Sequence, residues 1–181
     1  MEKNIIAFGA SNSKTSINKK LAVFAASQLK GVKVDLLDLN DFELPLYSID
    51  HQREKGIPDN AISFLEAIKH SDGVVISLAE YNGLHTAAFK NLWDWMSRID
   101  GMNIWYNKPM FLLATSPSKR PESNVMRVSK QLFPHFGANI ISAFQLPSFN
   151  HFFKDGEIIE PVYKVKFQVE LLKFQDFLNQ T

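Results

Sequence analysis

Three polar segments of the chain each follow an apolar run and precede a helical pattern. The first, residues 9–18, reads Gly9-Ala10-Ser11-Asn12-Ser13-Lys14-Thr15-Ser16-Ile17-Asn18. Its serines, threonine and asparagines are hydroxyl and amide donors. The helix that opens behind them adds unpaired N–H groups and partial positive charge. Together these suit a phosphate group. N-capping by Thr15 or Ser16 is the plainer reading, but a cap does not call for so many hydroxyls. The segment lacks the Gly-Lys-Ser/Thr ending of a P-loop and the G-x-G-x-x-G of dinucleotide folds. The second segment, 79–85, is Ala79-Glu80-Tyr81-Asn82-Gly83-Leu84-His85. Tyr81 offers an aromatic face, Asn82 offers donor and acceptor, and Gly83 lets backbone approach a flat ligand. An ordinary strand-to-helix turn has the same composition. The third, 115–124, is Thr115-Ser116-Pro117-Ser118-Lys119-Arg120-Pro121-Glu122-Ser123-Asn124. Two prolines stiffen it. It either supplies backbone groups to a ligand ring or is a solvated connection with Lys119 and Arg120 pointing outward.

These segments need a frame that brings them together. Strand signals fall at 4–8, 33–37, 73–78, 109–114 and 139–142, separated by stretches of helical spacing. The first, third and fourth are continuous apolar runs, as expected of strands buried on both faces. Alternating β and α predicts a parallel sheet with helices on both sides. Ligands in such sheets bind beyond the carboxyl ends of the strands, where all three segments lie. A helix is expected after the third strand, with His85, Ala88, Phe89, Leu92, Trp93, Trp95, Met96 and Ile99 on one broad arc. That arc is wider than one sheet contact needs, so the helix is either deeply buried or shared with a second subunit. A further helix is expected over 125–136. The last helix, 161–179, carries one stripe of Val162, Val165, Val169 and Leu172 and another of Phe167, Leu171, Phe174 and Leu178. One stripe docks on the sheet; the other calls for a different cover, such as a partner chain. Residues 154–157 read as a turn. Residues 41–60 show no period and read as a long functional or mobile loop.

Composition narrows the function. The chain has 181 residues, 45% hydrophobic and 22% charged, with a net charge of +1. One domain over 1–181 with a substantial core is expected. Near-neutral charge gives no case for nucleic acid or an anionic membrane. The absence of cysteine removes disulfides, thiol nucleophiles and thiolate metal sites. A cytoplasmic home is expected. No apolar run approaches a membrane span, and residues 1–11 do not read as a signal peptide. The histidines lack paired metal-ligand spacing, although His85 and His151 stand beside the site segments. No G-x-S-x-G elbow is present.

Two segments carry a family resemblance. Residues 10–18 resemble the G-S-x-R-x-x-S-x-N phosphate loop of NAD(P)H-dependent FMN reductases. Glu80-Tyr81-Asn82-Gly83, followed by Phe89-Lys90-Asn91-Leu92-Trp93-Asp94-Trp95-Met96-Ser97-Arg98, resembles their P-E-Y-N-G-S…L-K-N-x-x-D-W-x-S stretch. The resemblance implies a flavodoxin-like three-layer sandwich, with a five-stranded parallel sheet in order 2-1-3-4-5. It also implies bound FMN. Ser11, Ser13, Ser16, Ile17 and Asn18 would hold the phosphate, Glu80, Tyr81, Asn82 and Gly83 would run along the isoalloxazine, and Ser116, Pro117, Ser118 and Lys119 would meet its pyrimidine end. A homodimer or homotetramer with the flavin near an interface is implied as well. Several positions depart from the pattern. Ala10 replaces a glycine, Ser13 an arginine, Ala79 a proline and Leu84 a serine, and the third segment lacks the family's glycines.

The implied activity is hydride transfer from NAD(P)H to the flavin and then, in ping-pong order, to a small acceptor such as a quinone or free flavin. Tyr81 is the residue expected to shape the substrate face. The cofactor carries the chemistry, so no acid–base side chain is required for the first half-reaction. Two other readings share the fold. A flavodoxin-type electron carrier would be strongly acidic, which this chain is not. A flavin-free interaction protein would ignore added FMN.

Overall fold

A computed structural model of the chain describes residues 2–120 and 122–180. Five strands form one parallel sheet: β1 (Lys3–Ala10), β2 (Val32–Leu37), β3 (Gly73–Leu78), β4 (Pro109–Thr115) and β5 (Asn139–Leu146), in the order β2-β1-β3-β4-β5. This is the expected flavodoxin-like order. The central strands β3 and β4 are buried almost throughout, as their unbroken apolar runs require. β5 runs four residues past the expected end at Ser142, because Phe144 and Leu146 continue its buried alternation.

Five helices cover the sheet: α1 (Ile17–Ser27), α2 (Asp59–His70), α3 (Ala87–Met96), α4 (Asn124–Leu132) and α5 (Pro161–Gln180). Alternate strand residues serve the two sides. Phe8, Ile76 and Leu112 pack beneath α2, α3 and α4, and Ala7, Val75 and Leu113 beneath α1 and α5. The fourth helix is shorter than the 125–136 expected. Pro134 cannot continue its hydrogen bonding, so Phe133–Phe136 tighten into a 3-10 turn that ends at Gly137 with φ 80°. The turn expected at 154–157 is the tip of a two-residue hairpin. Phe153–Lys154 pairs with Glu157–Ile158, and Asp155 and Gly156 both adopt positive φ.

The segment 41–60 is not a free loop. A 3-10 turn, Leu39–Asp41, leads into it, and it carries a short helix, Ile49–Lys55, whose cap Ser48 accepts the His51 N–H at 3.0 Å. The chain between them lies on α3. Asn91 Oδ1 accepts the Tyr47 N–H at 2.8 Å, and its Nδ2 donates to the Pro45 carbonyl at 3.0 Å. Trp95 Nε1 donates to the same carbonyl at 2.8 Å, and Tyr47 stands edge-on to its ring at 5.0 Å. Trp93 packs on the other edge of α3 against Phe133 and Phe136. Both tryptophans therefore bury within the subunit, and the width of the α3 arc needs no second chain to explain it.

Candidate functional site

β1 delivers the first loop to the carboxyl edge of the sheet. Gly9 makes the approach possible: a Cβ there would stand 2.5 Å from the Lys19 backbone nitrogen, so only glycine lets the first turn of α1 lie against the strand end. Ser11 is buried, and its Oγ accepts the Ser13 N–H at 3.2 Å. Ser13 Oγ and Thr15 Oγ1 lie 3.5 Å apart. Ser16 caps α1 by accepting the Lys19 N–H at 3.2 Å. Ile17 and Asn18 open the helix, where backbone N–H groups have no earlier helical carbonyl to meet. Residues 9–18 contain no carboxylate, and Lys14 is exposed on the turn. This donor set fits a phosphate monoester such as the 5′-phosphate of FMN.

Asn18 has a second task. Its Oδ1 accepts from Ser77 Oγ at 2.8 Å and from the Thr115 N–H at 3.0 Å, and its Nδ2 donates to the Thr115 carbonyl at 3.1 Å. One buried amide thus ties the first loop to the ends of β3 and β4. A buried polar group satisfied this fully acts as a rigid bracket.

The second loop is a hairpin. Glu80–Tyr81 pairs with Leu84–His85 across Asn82 and Gly83, whose φ values are 53° and 85°. Both tip residues need positive φ, which Asn-Gly supplies. The hairpin leaves Tyr81 55% exposed, with its ring at the surface of the carboxyl edge. Thr86 ends it. This buried hydroxyl donates to the Ala10 carbonyl at 2.9 Å and accepts the Phe89 N–H, capping α3 and holding it to the first loop. Sequence reading did not single out Thr86. Its signal was a threonine one residue before a helical pattern.

Glu80 joins the second loop to the third. Its Oε2 accepts the Val125 N–H at 2.9 Å, and its Oε1 pairs with Arg120 at 3.3 Å. The carboxylate therefore sits at the opening of α4, where the helix dipole favours negative charge. Arg120 reaches back to this carboxylate while its side chain stays largely exposed to solvent. Elsewhere the third loop is held by its backbone: the Ser148 N–H donates to the Ser118 carbonyl at 2.8 Å and the Phe149 N–H to that of Ser116 at 3.0 Å. Pro117, Ser118 and Lys119 stay exposed. Pro121, one of the two prolines read as stiffening this loop, lies outside the described residues.

The two histidines beside the site separate. His85 turns inward, with its Nε2 2.7 Å from Ser129 Oγ and its ring stacked on Phe133 at 5.9 Å. Burial among these rings pushes its pKa down to about 4, so it is a neutral packing residue. His151 stays exposed and shares a cleft of about 420 Å³ with Lys119, Phe152 and Tyr163. A second cleft, of about 500 Å³, opens beside Asn12 over Leu39, Phe42 and Leu92. The first is mostly apolar, the lining that suits a small ring compound, whereas the second mixes apolar side chains with Asn12, Asn40, Glu43 and Asn91.

Comparison with known proteins identifies the family. Residues 3–151 match the NADPH-dependent FMN reductase family. A 2-hydroxy-1,4-benzoquinone reductase of Burkholderia sp. is 36% identical over 102 residues, which cover 56% of this chain and only 54% of that protein. An NADPH:quinone oxidoreductase of Arabidopsis thaliana is 27% identical over 96% of this chain and 90% of that one. Among solved structures, the flavoenzyme NAD(P)H:(acceptor) oxidoreductase of Paracoccus denitrificans superposes with a TM-score of 0.78, at 26% identity and 98% coverage of both chains. The chain therefore belongs to the NADPH-dependent FMN reductases, a family of flavoenzymes that use FMN and NAD(P)H.

Proposed function

We propose that this chain is an FMN-dependent NAD(P)H oxidoreductase that reduces a quinone, free flavin or similar small acceptor by a ping-pong mechanism. The observation that carries this is the first loop. It combines the Gly9 close approach, clustered hydroxyls and a helix opening, with no carboxylate to repel an anion. Bound FMN would supply hydride acceptance from the nicotinamide and hydride donation to the acceptor. The protein's own task is to hold and orient. Ser11, Ser13, Ser16, Ile17 and Asn18 would bind the phosphate, with Lys14 adding charge in place of the family's arginine. An ammonium lacks the bidentate fork of a guanidinium, so phosphate recognition here leans on hydroxyls and backbone.

Glu80, Tyr81, Asn82 and Gly83 would line one side of the ring. Ser116, Pro117, Ser118 and Lys119 would meet its pyrimidine end. The Asn18 bracket and the Glu80 pairings fix these loops relative to one another before any ligand arrives, so little ordering cost falls on binding. Tyr81, exposed at the hairpin, would bound the face on which nicotinamide and acceptor alternate. The small-molecule acceptor is the expected partner, in a homodimer or homotetramer.

The test is an FMN titration followed by fluorescence, then anaerobic addition of NADH or NADPH. One FMN per chain, and loss of the flavin absorbance on reduction, are expected. Gly9→Val should abolish uptake, and Tyr81→Ala should raise KM for the acceptor more than it lowers kcat. A protein that takes up no FMN, or whose bound flavin ignores both nicotinamides, would falsify the proposal.

A further inference from the structure

The cleft beside His151 differs in charge from its neighbours. Its walls are Lys119, Pro147, Ser148, His151, Phe152 and Tyr163, around about 420 Å³. Two of them bring nitrogen donors, and none is a carboxylate. The cleft over α1 includes Asp155, the one beside Asn12 includes Glu43, and those along β5 include Glu170. Glu157, on the hairpin that follows, is paired with Lys164 at 3.5 Å and stands outside these walls. The Lys119 ammonium and the His151 ring have no hydrogen-bond or ion-pair partner among the described residues. Phe152 and Tyr163 pack with ring centroids 5.3 Å apart and form an aromatic wall.

The cleft also adjoins the third loop. The Ser148 and Phe149 N–H groups donate to the Ser118 and Ser116 carbonyls, so the segment that builds the cleft is seated on that loop. Lys119 belongs to both. A ligand that lies over the flavin and continues past its pyrimidine end therefore enters the cleft with its far end. The aromatic wall suits a flat ring there. Lys119 and His151, with no opposing carboxylate, suit an anion with several oxygens, since lysine serves phosphate as a point charge. The adenosine 2′-phosphate end of NADPH has both ring and anion; NADH has the same ring without the anion. The family match ends at His151, and Tyr163 lies beyond it, so the family pattern does not assign this cleft.

Resting on the function proposed above, we propose that this cleft is the adenosine subsite of the nicotinamide substrate. Lys119 and His151 hold the 2′-phosphate, Phe152 and Tyr163 take the adenine, and NADPH is preferred over NADH as a result. Discrimination of this kind is a difference between two affinities, and it falls here on groups that touch only the phosphate.

Binding and kinetics test this separately. Adenosine 2′,5′-bisphosphate and 5′-AMP are titrated by calorimetry into the FMN-saturated chain, which needs no hydride transfer. The bisphosphate is expected to bind about tenfold or more tighter than 5′-AMP. His151→Glu, at an exposed position, should remove that difference by placing a carboxylate in the wall. With p-benzoquinone as acceptor, the same variant should raise KM for NADPH by a similar factor and leave KM for NADH and kcat unchanged. Tyr163→Ala should raise both KM values together, because both dinucleotides carry adenine. Equal binding of the two nucleotides to wild type overturns the proposal, as does a His151→Glu variant that shifts NADPH and NADH alike. A flavin that ignores both nicotinamides sinks the oxidoreductase reading alone, and the bisphosphate titration still decides this one.

Discussion

Helices α3 and α5 pose the same problem and meet it differently. Each has more apolar surface than one sheet contact can cover. On α3 the surplus includes Trp95, and residues 45–51 of the same chain fold over it with hydrogen bonds from Trp95 Nε1 and Asn91. On α5 the surplus is a row of aliphatic side chains left in water. The difference lies in what can be reached. The indole carries a donor that must be satisfied when buried, and the neighbouring strand β2 leads directly into a segment able to satisfy it. The valines of α5 make no such demand, and Val165 and Val169 border an open cleft toward Met126 and Lys130 that no segment fills. Apolar excess on a helix therefore says that a cover is needed, and its chemistry says how strongly the cover must be fixed.

This contrast can be broken at measurable points. The largest effect is expected from Trp95→Ala, which empties a fully buried site and should cost about 3–5 kcal/mol in chemical denaturation. Acid should strike the α3 side next. His85 is held neutral, with its pKa lowered from 6.5 to about 4, so below pH 6.5 the unfolded chain binds a proton that the folded chain refuses. Stability then falls as pH drops from 6.5 toward 4, by up to about 3 kcal/mol. Denaturation midpoints measured across that range should show the slope in wild type and a flatter one in His85→Phe. Asn91→Ala leaves the Tyr47 N–H without its acceptor and should cost about 1–2 kcal/mol, with increased amide exchange confined to 45–55. The smallest effect belongs to α5. Val165→Ser/Val169→Ser at low concentration should shift stability by no more than about 0.5 kcal/mol, and a larger loss would show that this face is already covered within the monomer.

Much of the site could be read from residue order. The Gly9–Asn18 loop lies where a parallel sheet presents its ligand, and Asn82-Gly83 marked a turn. That the turn closes a hairpin was not legible, because Glu80–Tyr81 and Leu84–His85 are too short to show a period. Asn18 was placed in the phosphate loop, but its bracket was hidden: the residues it ties lie 59 and 97 positions away. The Thr86 bond to the Ala10 carbonyl and the pairing of Glu80 with Arg120 and Val125 were hidden for the same reason. His85 read as a neighbour of the site, and only packing showed that its ring turns into the aromatic cluster beneath α3.

What the sequence determined by itself is whatever one segment expresses alone: unbroken apolar runs for buried strands, opposed stripes on α5, and hydroxyls without carboxylates at a helix opening. These follow from periodicity and local hydrogen bonding, which act within a few residues. The tertiary structure alone decided which buried donors found which acceptors, and which apolar faces the chain could cover for itself. Those outcomes depend on elements far apart in sequence meeting at one place, and the folded sheet is what sets that meeting.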